Sequence, residues 1–122
     1  MERRTEYWLE SGEEDLIAAR TLLDRGHCRQ ALFFARMALE KALKAQITKR
    51  MQTQPPRLHN LTRLMEISGL EIEPSDAELL EQLNPWLLGG MYGDPVKKMV
   101  ELETVQNYIQ EAGELLEWMK GV

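Results

Sequence analysis

The stretch over residues 31–45, ALFFARMALEKALKA, limits what this chain can fold into more than any other part of it. On a helix, Ala31, Ala35, Ala38, Ala42 and Ala45 fall on one side. Leu32, Leu39, Leu43 and Ile47 form a second stripe beside them, so the apolar arc is broad. A helix with so broad an arc belongs in the middle of a bundle, with neighbours on two sides. The alanine stripe lets one of those neighbours approach closely.

The rest of the chain supplies the neighbours. A first helix is predicted from about Thr5 to Arg25, with Trp8, Leu9, Gly12, Leu16, Ala19 and Leu23 on one face and Asp15 at its edge. Gly26 ends it, and the short turn Gly26-His27-Cys28 makes the central helix an antiparallel neighbour. The central helix runs to about Met51 and stops before Pro55-Pro56. His59 or Asn60 opens a short third helix with Leu61, Leu64 and Met65 inward, closed by Gly69. Ser75 with Glu78 reads as a capping box for a fourth helix carrying Leu79, Leu80 and Leu83. Pro85 interrupts it, and residues 86–95 are irregular. The last helix begins between Val96 and Leu102 and buries Leu102, Val105, Tyr108, Ile109, Ala112, Leu115, Leu116 and Met119. No segment alternates with period two. The prediction is an all-α, up-and-down four-helix bundle with an additional short helix, one domain over residues 1–122.

Composition narrows the setting. No apolar run is long enough to cross a membrane, and the N-terminal stretch has no apolar core of a secretory signal. The single cysteine, Cys28, cannot form an internal disulfide, which fits a cytoplasmic, reducing compartment. The net charge of −5 speaks against a general nucleic-acid binder, but the charge is unevenly spread. Residues 1–19 hold two basic and six acidic side chains, residues 20–63 ten and two, and residues 64–122 three and twelve. Either acidic helices neutralise the basic middle, or that middle meets phosphate from a nucleotide, from RNA or from an acidic partner.

Catalytic motifs are lacking. Two histidines and one cysteine are too few for a zinc site. There is no nucleophile elbow, and Gly89-Gly90-Met91-Tyr92-Gly93 lacks the Lys and Ser/Thr of a phosphate loop. Arg20 and His27 are spaced as chance would space them in a chain with nine arginines. Arg57 and His59 stand together on the approach to the third helix, where an arginine can hold phosphate and a histidine can move a proton. Phe33, Met37 and Trp118 fall off the main apolar stripes and point to a dimer or partner surface.

Taken together, Trp8, Asp15-Leu16, Ala19, Gln30-Ala31, Ala35, the run Ala38-Leu39-Glu40-Lys41-Ala42-Leu43-Lys44-Ala45, Pro55-Pro56, His59-Asn60-Leu61, Leu64 and Met91-Tyr92 form a pattern over nearly the whole chain. This pattern resembles the HEPN family (higher eukaryotes and prokaryotes nucleotide-binding domain). The resemblance implies a prokaryotic homodimer, often encoded beside a minimal nucleotidyltransferase in a toxin–antitoxin or related pair. Several branches of the family are metal-independent ribonucleases with an arginine and a histidine a few residues apart near the dimer interface. Many relatives carry arginine-tyrosine-proline before the last helix. Here the stretch reads Met91-Tyr92-Gly93, and no histidine follows it.

The expectation is therefore a non-catalytic, nucleotide- or partner-binding bundle without cofactor or metal. By the resemblance, Glu40, Lys41, Lys44, His59 and Tyr92 line a polar groove or dimer cleft, and Lys41, Lys44 and Arg57 meet phosphate. The alternatives are a metal-independent ribonuclease toxin using His59 with Arg57, or His27 with an arginine, and a structural bundle with no ligand.

Overall fold

The computed structural model describes residues 2–86 and 100–122. Among the described residues five helices follow one another: α1 (Arg3–Asp24), α2 (Cys28–Met51), α3 (Leu61–Ser68), α4 (Pro74–Leu83) and α5 (Leu102–Lys120). There is no strand among the described residues. The stretch around Met91-Tyr92 and the earliest predicted start of the last helix, Val96, lie outside the described residues.

Each helix end has a local cause. The Glu2 carboxylate caps α1 by accepting from the Arg4 amide. At its other end the His27 amide reaches the Leu22 carbonyl and the Gly26 amide the Leu23 carbonyl. Gly26 adopts φ +81°, so the pair of bonds is a Schellman motif that only glycine closes without strain. Asn60 caps α3 through its Oδ1 and the Arg63 amide at 2.9 Å, and Gly69 ends that helix in the left-handed region. The capping box predicted at Ser75 is absent. Pro74 takes the first helical position of α4, and Glu73 stands at the cap without a side-chain bond. Proline at that position has its fixed φ already helical and lacks an amide that would have gone unpaired in the first turn, so the helix starts before Ser75 can act.

α2 is the axis of the fold. The five alanines of its stripe and Leu32, Leu39 and Leu43 are fully buried. α1 packs antiparallel on the alanine side. Gly12 makes that approach possible: a Cβ there would stand 3.0 Å from the Ala38 carbonyl oxygen and 3.4 Å from the Lys41 Cβ. Thr5 and Thr48 join hydroxyls at 2.8 Å inside the same seam. α5 lies parallel to α2 and antiparallel to α1, held by Gln46 Nε2 donating to the Met119 carbonyl and by Lys120 against Glu13. α3 and α4 close the remaining side with Leu61, Leu64, Leu79, Leu80 and Leu83. Leu102, expected inward, is half exposed, because it is the first residue of α5 and precedes the buried turn at Val105. Phe33 and Met37 are half-buried, and Trp118 is 43% exposed.

Candidate functional site

Arg36, Glu40 and Lys44 recur at intervals of four along α2 and so share one helix face. That face is interior: Arg36 is completely buried, and Glu40 and Lys44 nearly so. Buried charges are tolerated only when paired and hydrogen-bonded. Here Glu40 accepts from three cationic or polar donors. Arg36 Nη1 lies 2.7 Å from Oε1, Lys44 Nζ 3.2 Å from Oε2, and His59 Nδ1 3.0 Å from Oε2.

The remaining donors of Arg36 go to backbone. Its Nη2 bonds the carbonyl of His59, and its Nε donates to the carbonyl of Asn84 at 3.2 Å. Asn84 Oδ1 in turn accepts from the Leu61 amide at 2.8 Å. One guanidinium therefore ties α2 to the start of α3 and the end of α4, and sets the position of His59 between them.

His59 is the part of this cluster that solvent reaches. Its side chain is 66% exposed while that of Glu40 is 3% exposed. An ionised carboxylate only accepts, so Nδ1 carries the proton toward Glu40 and Nε2 is the nitrogen left for a ligand. Burial works against the charged form of Glu40, but the bonds from His59 and Arg36, with the charge of Lys44, outweigh it and hold the carboxyl below the usual glutamate range. The buried trio thus consists of two cations and one carboxylate, and it carries net positive charge directly behind an exposed imidazole.

Trp8 of α1 extends the site. The Lys44 ammonium sits 5.4 Å from the centre of its ring, a cation–π distance. Trp8 is itself half-buried and meets Tyr7 edge to face at 5.4 Å.

Of the residues expected from sequence, Glu40, Lys44 and His59 come together. Lys41, one position beyond Glu40, turns instead toward α1, where its ammonium meets Ser11 Oγ and Asp15 Oδ2, both at 2.7 Å. Arg57 is exposed on the segment leading to α3. Tyr92 lies outside the described residues. His27 is exposed at the start of α2, where it makes no side-chain cap. Sequence reasoning missed Arg36 and Asn84 as members of the site. The signal for Arg36 was present: its spacing from Glu40 and Lys44 puts three charges on one face of a helix apolar over most of its circumference. Asn84 had no comparable signal.

Among the described residues no group of three or more His, Cys, Asp or Glu side chains could hold a metal ion. No helix among them is long and apolar enough to cross a membrane.

The family model described as HEPN domain matches residues 5–122. No curated protein matches the chain. Two solved structures share the fold. TT1696 from Thermus thermophilus superposes with a TM-score of 0.83 at 21% identity, covering 97% of each chain. ST0689, an archaeal HEPN homologue, superposes with a TM-score of 0.77 at 24% identity, covering 99% of this chain and 98% of its own.

Proposed function

The chain belongs to the HEPN domain family, and we propose that it is a non-catalytic binding bundle whose His59 corner takes the phosphate of a nucleotide. One observation carries the reading: among the described residues, buried Arg36 and Lys44 share the single carboxylate of Glu40, so this trio behind His59 is net positive. An anion at the surface there gains from that field, which is screened less than a field between exposed charges. The imidazolium form of His59, with Nδ1–H on Glu40 and Nε2–H left to donate, and the exposed Arg57 are the groups that would touch it. Lys41 and Lys44, already engaged with Asp15 and Glu40, contribute charge and position rather than direct contact.

The protein works in this reading as a homodimer, paired with a minimal nucleotidyltransferase in a toxin–antitoxin-like system. The family membership supports this part, together with the incompletely covered Phe33, Met37 and Trp118.

The test is calorimetric titration of the purified protein with AMP. Binding is expected in the wild type and is expected to weaken about tenfold or more in His59→Ala and in Arg57→Ala, the loss of a charge-assisted contact. Absence of binding to the wild type, or unchanged affinity in both variants, overturns the proposal.

A second reading is favoured by the same geometry. A buried carboxylate that holds Nδ1 of an exposed histidine prepares Nε2 for proton transfer, as metal-independent RNA cleavage would need. Cleavage of RNA in EDTA by the wild type, lost in His59→Ala, would replace the binding module with a ribonuclease.

A further inference from the structure

We infer that Tyr7 and Trp8 form an aromatic platform for the base of the nucleotide whose phosphate meets His59, an assignment that rests on the nucleotide-binding reading above. The two rings stand on the first turns of α1 and touch each other edge to face. Tyr7 is 64% exposed, and Trp8 keeps part of its surface accessible although it lies against α2. An exposed tyrosine beside a half-buried tryptophan is a poor arrangement for a core and a suitable one for stacking, because every base presents a π-face.

The link to His59 is a short series of contacts. The Lys44 ammonium is 5.4 Å from the Trp8 ring centre and 3.2 Å from Glu40 Oε2, and that same oxygen is 3.0 Å from His59 Nδ1. Trp8 and His59 are therefore the two ends of one cluster, separated by a single lysine and a single carboxylate. In this proposal the base of a mononucleotide lies at the Trp8 end and its phosphate at the His59 end of this contact series. Lys44, nearly buried under the ring, holds the indole in place from below and keeps positive charge between the two ends. The platform takes part in recognition without reading base identity, since stacking tolerates all bases.

The test separates the base from the phosphate. AMP and ribose 5-phosphate are titrated into the wild type, Tyr7→Ala, Trp8→Leu and Trp8→Phe, each first checked by thermal unfolding. Tyr7 is exposed, so its removal leaves the fold intact. The expected result is about tenfold weaker AMP binding in Tyr7→Ala and Trp8→Leu, near wild-type AMP binding in Trp8→Phe, and unchanged ribose 5-phosphate binding throughout. AMP binding unchanged in Tyr7→Ala and Trp8→Leu overturns the platform and leaves the phosphate site standing. Equal loss of both ligands also overturns it, because the rings would then act only on the shape of the site. If neither ligand binds the wild type, the nucleotide reading itself fails and the platform with it.

Discussion

Arg36 Nη1 meets Glu40 Oε1 at 2.7 Å one turn apart inside α2, and neither side chain has meaningful contact with water. A pair so placed is costly to break from one side. Truncating Glu40 to Ala leaves Arg36 and Lys44 as buried cations without their shared counter-charge. The expected loss is about 3–5 kcal/mol in chemical denaturation, the range for uncompensated buried charge. Glu40→Gln keeps the volume and one acceptor and should cost less. A loss below about 1 kcal/mol in Glu40→Ala, the value of an exposed pair, would mean that water enters the cluster.

The pH dependence has a definite sign. Glu40 titrates lower in the folded protein than in the unfolded chain, because the donors from His59, Arg36 and Lys44 outweigh the effect of its burial. Its contribution to stability is therefore complete above the ordinary glutamate range and is lost as pH falls through the lowered folded value. Urea unfolding followed from neutral pH downward should lose stability over that acid window. In Glu40→Gln the curve should lack this component.

The helices were legible from the sequence because their boundaries rest on local chemistry. Gly26, Asn60 and Gly69 act within a few residues of themselves, and the alanine stripe of α2 is as buried as its periodicity required. Ser75 shows the limit of that reasoning, since two signals overlapped and the adjacent Pro74 decided the start of α4. The site was only partly legible. A count of charge along the chain treats Arg36, Lys41 and Lys44 alike, but the rotation of α2 in the bundle puts Arg36 and Lys44 inside, on Glu40, and turns Lys41 to Asp15. The neutralising of the basic middle is thus partly internal to α2 itself. Asn84 joins the site through contacts 23 and 48 residues away in sequence, to Leu61 and Arg36, which no local pattern encodes.

The acidic side of the molecule should respond in the opposite direction to Glu40. Asp76 of α4 and Glu111 of α5 both titrate above the usual carboxylate range. Burial is the first cause for each; for Asp76 the neighbouring charges of Glu73 and Glu114 add to it, and for Glu111 those of Asp76, Glu114 and Glu78. A carboxyl with a raised folded value destabilises the fold once ionised, and stability recovers as pH falls through that value. Asp76→Asn and Glu111→Gln should each stabilise the protein at neutral pH by a few tenths of a kcal/mol, up to about 0.5, since both groups are near solvent and screened. Thermal unfolding at low and high salt measures it: the gain should shrink as salt rises.

Gly12 offers a test of the seam between α1 and α2 in which two effects oppose each other. Alanine is the better helix former, by about 1 kcal/mol. Against that, the new Cβ would stand 3.0 Å from the carbonyl oxygen of Ala38, a backbone atom that cannot rotate away. The two helices must then separate along a seam that also holds the Thr5–Thr48 hydroxyl bond and the Lys41–Asp15 pair. Overpacking of this kind costs about 1–3 kcal/mol. The clash should prevail, so Gly12→Ala is expected to destabilise the protein by up to about 2 kcal/mol in urea unfolding, and Gly12→Leu by more. A stabilised Gly12→Ala would mean that helix propensity decides at this position and that α1 can move off α2 with little loss.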